Sequence, residues 1–252
     1  MAIPFNMNRL KETELLYPQR FASMQQKDYG LIFFNEGNKN SQESNHAVIK
    51  DFIGIESSIR DIESFYKAKG INPCIFSALD PDELTKLSPS LENHGFNIQI
   101  MQEEYLLHDH EGSLRSASEL IIQRVRHLDI DMMETIVLEY GTDSTIKVVE
   151  RHLQHPSYHL LAGFCNGELA ALASVSTYAG YSRASDIFTR EKFRGKGFGG
   201  AMINHLVDYH RGLSQNYLYL FSDDPGTTKV VEKGGFSKLP LDFQGWVATK
   251  EA

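Results

Sequence analysis

The stretch Arg194-Gly195-Lys196-Gly197-Phe198-Gly199-Gly200 sets four glycines and two cations side by side and runs straight into an amphipathic pattern. Phe198, Ala201, Met202, His205, Leu206 and Tyr209 fall at the spacing of one apolar helical face. A helix that opens out of a glycine-rich turn exposes its first backbone N–H groups, which have no intrahelical acceptor. The positive end of the helix dipole reinforces them, so the segment is suited to hold an anion. Glycine lets a phosphate reach the main chain without meeting a Cβ, and Arg194 and Lys196 add charge.

Several phosphate loops use glycine in this way. The Walker string of Gly, four spacers and Gly-Lys-Ser/Thr is absent. Gly195, Gly197 and Gly200 do satisfy the dinucleotide fingerprint G-x-G-x-x-G, and Asp223 and Asp224 lie about 20 residues on, where a ribose-binding acid would sit. Context weighs against that reading. Residues 190–194 separate the preceding strand from the first glycine, and the chain after Asp224 is too short for further βαβ units. A helix start that binds nothing is the plain alternative. Arg194-x-x-Gly197-x-Gly199, between the strand residues Ile187-Phe188-Thr189 and a helix, resembles the pyrophosphate loop of the GNAT superfamily of N-acyltransferases. Lys233-Gly234-Gly235-Phe236 resembles that family's Gly-Phe element, and the likeness extends over about 114–252.

The resemblance implies an α/β (α+β) fold with a mixed, mostly antiparallel central sheet flanked by helices. It implies acetyl-CoA as acyl donor, with its diphosphate on the amides of Arg194, Gly195, Lys196, Gly197, Phe198, Gly199 and Gly200. The pantetheine would run beside Ile187, Phe188 and Thr189 as an added strand does, with a main-chain N–H at Phe188 or Thr189 polarising the acyl carbonyl. A small amine or amino acid would be the acceptor. The chain departs from the family at its acid and base. The helix position of the family's tyrosine is Val231, its usual asparagine is Asp224, and the strand positions that often carry Glu or His are Arg183 and Ser185. The base position some relatives use on the next strand is Tyr219. Candidates for proton transfer are therefore Tyr219 and Asp223, with Ser185 as a water relay, and each could equally be a packing or solvent-facing residue. Deprotonation through water alone is a further route. A non-catalytic acyl-CoA-binding module also fits these departures. Asp186 is expected on the opposite face from Arg183 and Ser185, bonded to local backbone. Arg183 could clamp a substrate carboxylate or form an internal ion pair. Tyr140, with Tyr178 and Tyr181, borders the expected acceptor cleft, although aromatic residues there could be core.

The elements that must position these residues follow from local patterns. Residues 120–126 read as a strand, 129–140 and 144–154 as helices, 158–164 and 168–176 as a hairpin across Asn166-Gly167, and 181–189 as the strand feeding the loop. A strand over 216–222, a helix over 227–233 and a strand over 243–249 follow. Earlier in the chain, a helix over 15–26, strands over 30–34, 46–49 and 73–76, helices near 55–69 and 82–94, and a long strand over 97–107 are expected. Phe76-Ser77…Gly95-Phe96 echoes Phe221-Ser222…Gly235-Phe236, so the chain reads as a tandem. A degenerate first half spans residues 1–112 and an acetyltransferase half spans 113–252. The first copy has Asp51-Phe52-Ile53-Gly54-Ile55-Glu56 in place of the glycine loop, which would repel a diphosphate.

The 252 residues, 41% hydrophobic and 23% charged, are ordinary for a globular protein, and a net charge of −8 argues against a nucleic-acid binder. Cys74 and Cys165 cannot frame disulfides, and neither the His108–Glu111 run nor His152, His155 and His159 has a metal site's spacing. No run approaches a membrane span, and the start lacks a signal peptide's apolar core, so a cytoplasmic protein is expected, with a homodimer left open.

Overall fold

A computed structural model describes residues 4–114 and 117–251, and the chain divides into two compact units. In chain order the elements are α1 (Met7–Leu16), β1 (Ser23–Lys27), β2 (Gly30–Phe34), β3 (His46–Ile49), α2 (Ile55–Lys69), β4 (Cys74–Phe76), α3 (Glu83–Asn93) and β5 (Asn97–Ile100). They continue as β6 (Glu104–His108), β7 (Ile121–Val125), α4 (Ile130–Tyr140), α5 (Ser144–Leu153), β8 (Tyr158–Cys165), β9 (Glu168–Tyr178) and β10 (Tyr181–Thr189). The chain closes with α6 (Phe198–Leu213), β11 (Tyr217–Ser222), α7 (Pro225–Lys233), β12 (Phe236–Lys238) and β13 (Trp246–Thr249).

One unit, Asn8–Glu103 with the residues from Leu241 onward, carries a six-stranded sheet in the order β1-β2-β3-β4-β13-β5. The other, Glu104–Pro240 with the described residues before Asn8, carries a seven-stranded sheet in the order β12-β6-β11-β10-β9-β8-β7. Each sheet is antiparallel apart from one parallel pair, β3/β4 in the first and β10/β11 in the second. A parallel pair needs a crossover, and α2 and α6 supply it. This is the mixed, mostly antiparallel architecture expected from the sequence.

Local signals explain most boundaries. On α2, Ile59, Ile62 and Tyr66 form a buried stripe, and Gly70 ends the helix in the left-handed region at φ 63°. Asp129 caps α4 by accepting from the Met132 N–H at 2.9 Å. The β8/β9 hairpin turns on Asn166 and Gly167 at φ 53° and 81°, the paired positive angles that a two-residue turn requires.

Three expectations fail. The helix expected over 15–26 is displaced to α1. Pro18 sits in a short 3₁₀ turn, and polar Ser23–Lys27 pairs along β2 as an edge strand. The long strand expected over 97–107 is two strands in two different sheets, β5 paired with β13 and β6 paired with β11 and β12. The strand expected over 243–249 as the end of the second half is instead β13, inserted between β4 and β5. The two halves of the sequence thus exchange strands: β6 from the first fills the slot between β11 and β12, and β13 from the second fills the slot between β4 and β5.

The internal echo is visible in the backbone. Ser77 Oγ accepts from the Leu79 N–H at 2.9 Å, and Ser222 Oγ from the Asp224 N–H at 3.3 Å, the same turn leading into α3 and α7. Both helices end at a glycine of positive φ, Gly95 at 78° and Gly235 at 92°, followed by a buried phenylalanine.

β13 is pinned by a buried carboxylate. Glu83 accepts from the Trp246 indole N–H at 3.0 Å, from the Ala78 N–H at 2.8 Å and from the Ser77 hydroxyl. It is 1% exposed, and burial pushes its pKa up. Glu83→Ala would leave the indole and Ala78 donors buried without an acceptor, so a loss of about 3 kcal/mol is expected. Urea denaturation would show it as a lower midpoint at unchanged slope.

Candidate functional site

The site is built where β10 leaves β11. Their ladder runs only from Tyr181/Tyr217 to Arg183/Tyr219, after which the strands separate and open one edge of β10. On its other edge β10 stays paired with β9 but slips register between Ser185 and Phe188, a bulge in which Asp186 takes φ 53°. Below this opening, Gly195 and Gly197 adopt φ 78° and 81°, and Gly197 is the N-cap of α6. The first α-helical bond runs from Ala201 N–H to Gly197 C=O at 3.0 Å, which leaves the N–H groups before Ala201 outside the helical ladder.

A cleft of about 680 Å³ lies over this helix start. Every candidate cofactor residue except Lys196 lines it. A Cβ at Gly195 or Gly197 would meet nothing within 4 Å, so the space beside these two glycines is open. Gly199 and Gly200 are glycines for a different reason, close packing, since a Cβ there would come within 3.3 Å of Thr189 Oγ1 and 3.0 Å of Leu114 Cδ2. The glycines therefore divide the work: two shape the turn, and two let α6 approach its neighbours.

The rim is charged and ordered. Arg194 Nε donates to the Thr189 carbonyl at 2.9 Å while its other end pairs with Glu139 at 3.1 Å, tying the loop to the end of β10 and to α4. The Lys196 ammonium lies 5.2 Å from the Phe193 ring centroid. The far wall is the start of α7, whose Gly226, Thr227 and Val230 were not among the candidate site residues. Asp224 accepts from Thr227 Oγ1 at 2.7 Å and Thr227 N–H at 2.6 Å, and these bonds hold its carboxyl below the usual range. Pro225-Gly226-Thr227 behind an N-cap aspartate was the signal available for this wall. Val231, fully buried, stands at the cleft where the family's tyrosine would.

The other expected residues scatter. Tyr219 is fully buried and lies outside the cleft lining, its ring 6.3 Å from that of Tyr181. Asp223 is exposed beyond the end of β11 and also does not line the cleft. Arg183 lies over the Phe221 ring, 4.6 Å from its centroid. Tyr140 packs edge-on to Phe188 at 6.0 Å and remains 43% exposed. Ser185 is within 3.0 Å of Ser174 Oγ.

Asp186 corrects the sequence reading. Strict alternation would set it on the face opposite Ser185 and leave it to local backbone. The bulge breaks that alternation, and its Oδ2 accepts from Ser174 Oγ at 2.5 Å, Tyr158 Oη at 2.8 Å and Ser185 Oγ at 3.4 Å.

Residues 123–236, which include β10, the glycine loop, α6 and α7, match the model of the Acetyltransferase (GNAT) family. Over this segment the chain matches a GNAT acetyltransferase domain. Solved structures resemble the whole chain. A GCN5-related N-acetyltransferase from Kribbella flavida is 13% identical, with 100% of this chain and 97% of that one covered at a TM-score of 0.69. A GCN5-related N-acetyltransferase-like protein from Streptococcus suis 89/1591 is 15% identical, with 96% and 98% covered at 0.58. A tandem GNAT protein from the clavulanic acid biosynthesis pathway is 13% identical, with 82% and 76% covered at 0.56. No curated protein matches in sequence. At these identities the structures establish the fold, a GNAT fold that includes the tandem form.

In the six-stranded unit, the turn at residues 51–57 is occupied by its own side chains. Ile53 N–H is taken by Asp51 Oδ1 at 2.9 Å, and Ser57 Oγ fills the notch at Gly54, 3.0 Å from where a Cβ would stand. Between α2 and α3, His94 bridges Glu56 at 2.7 Å and Glu63 at 3.1 Å. Among the described residues no group of three or more His, Cys, Asp or Glu could hold a metal ion, and no helix is long and apolar enough to cross a membrane.

Proposed function

We propose that the chain is an N-acetyltransferase that transfers the acetyl group of acetyl-CoA to the primary amine of a small molecule or amino acid. The observation that carries this reading is the opening of β10 away from β11 at the same cleft as a glycine turn whose Gly195 and Gly197 border open space. The residues fit the coenzyme. The free N–H groups at the start of α6 would hold its diphosphate, and the unpaired edge of β10 at Ile187–Thr189 would take its extended arm. Acetyl-CoA supplies, when bound, a thioester carbonyl open to attack by an amine. A main-chain N–H at Phe188 or Thr189 would polarise that carbonyl. The six-stranded unit, with its loop filled by Asp51 and Ser57, would hold no coenzyme of its own.

Incubation with acetyl-CoA and a panel of amines, followed by free thiol, tests the reading. Thiol release that depends on one class of amine is expected. Val231 favours one other reading, a non-catalytic acyl-CoA binder, because no hydroxyl stands where the family places its acid. Binding without thiol release across a wide panel would decide for that alternative.

Arg183 would select the acceptor. Its guanidinium, held against Phe221, could take a substrate carboxylate. Arg183→Ala is expected to raise KM for amino acid acceptors by about 10-fold or more, the loss of one charge-assisted contact, and to spare simple amines. An unchanged KM for every accepted amino acid would remove this role.

A further inference from the structure

Resting on the acetyl-transfer reading, we propose that Asp186 is the base that takes the proton from the acceptor amine. The strand pattern alone would aim Asp186 at the apolar core formed by Ala184, Met202, Leu218 and Leu220. The bulge turns it instead to the face that carries Ser174 and Ser185. An aspartate at φ 53° is a strained choice unless its neighbours hold it there, and three hydroxyls do. All three converge on one oxygen. Tyr158, Ser174 and Ser185 meet Oδ2, while Oδ1 has no partner among the described residues. One carboxylate oxygen is thereby anchored and the other is left to act.

Its place in the chain suits that role. Asp186 does not itself line the cleft, but it is partly exposed and immediately precedes Ile187, Phe188 and Thr189, which do. Tyr158 of β8, one of its three hydroxyl donors, lies against His152 of α5, with ring centroids 4.8 Å apart. In the step, the acceptor ammonium gives a proton to Oδ1 and the freed nitrogen lone pair forms the new N–C bond. The C–S bond breaks with its own electron pair left on the sulfur, the second proton of the acylated nitrogen passes through water to that thiolate, and Asp186 returns its proton to solvent.

The test compares wild type with Asp186→Asn and Tyr158→Phe in the thiol assay from about pH 6 to 10, alongside thermal shifts with acetyl-CoA. Asparagine accepts the same hydroxyls and tolerates a positive φ, so the fold and the acetyl-CoA shift should survive. The expected result is a kcat for Asp186→Asn lower by about 100-fold or more near neutrality, recovering as pH rises and the free amine becomes abundant. Tyr158→Phe, which loosens the anchored oxygen, should lose less. An Asp186→Asn enzyme within threefold of wild type and with a superimposable pH profile would overturn the proposal. So would a pH-independent loss that tracks a lowered melting temperature, the mark of a purely structural carboxylate. A wild-type protein that turns over no amine would overturn the acetyl-transfer reading itself, and its flat thiol trace reveals that before any variant is compared.

Discussion

Gly197→Glu is expected to abolish the stabilisation that acetyl-CoA confers. A ligand present at a hundredfold excess over its Kd raises stability by about 2.7 kcal/mol, which in a chain of this length moves Tm by roughly 5–10 °C. Gly197 caps α6, and the space in front of its Cα is open for at least 4 Å. A glutamate there would fill that space with a carboxylate, in direct repulsion with a diphosphate. The substitution also strains the turn, because φ 81° suits glycine. Gly197→Asn separates the two effects, since asparagine tolerates the backbone angle and brings no charge. The expected outcome is a retained shift in Gly197→Asn and none in Gly197→Glu, with no shift from NAD in any form. A full acetyl-CoA shift in Gly197→Glu would count against the loop as the coenzyme's seat.

What could be read from the sequence was what short stretches decide alone. The glycine turn and α6 follow from residue types within a few positions of one another, as do the Asn166-Gly167 hairpin and the aspartate cap of α4. Two things were hidden. The run 97–107 has the composition of one continuous strand, yet it divides because β5 and β6 find partners, Trp246–Thr249 and Tyr219–Ser222, that lie far off in the chain. Register and partner are long-range properties, and a local pattern does not encode them. Asp186 was hidden for the opposite reason. Its environment depends on one extra residue in β10, and a single bulge reverses the facing that period-two reasoning assigns. Tyr219 and Asp223, sensible by spacing, do not line the cleft, and neither does Asp186, but the bulge gathers three hydroxyls on that residue, which alternation had set aside.

The exchanged strands carry the second large prediction. Division of the chain between residues 112 and 113 would give a first fragment that keeps β6 but lacks β13, and a second that keeps β13 but lacks β6. In the first, β4 and β5 would each lose the partner between them, and the buried Trp246 would be gone from the core with Ile75, Leu87 and Phe96. Removal of a buried tryptophan side chain alone costs about 3–5 kcal/mol, a large part of the roughly 5–15 kcal/mol that holds a domain folded. In the second, β11 and β12 would expose facing edges around the vacated slot of Leu106, a fully buried core residue. Open edges of that kind invite aggregation. Each fragment expressed alone should therefore be insoluble or lack a cooperative melting transition. Coexpressed, each supplies the strand the other lacks, and a soluble one-to-one complex that melts cooperatively is expected. Deletion of Leu241–Ala252 from the intact chain should destabilise the six-stranded unit in the same way. A monomeric 113–252 fragment with a sharp thermal transition would show that β6 is dispensable, and the exchange would then be a feature of connectivity rather than a condition of folding.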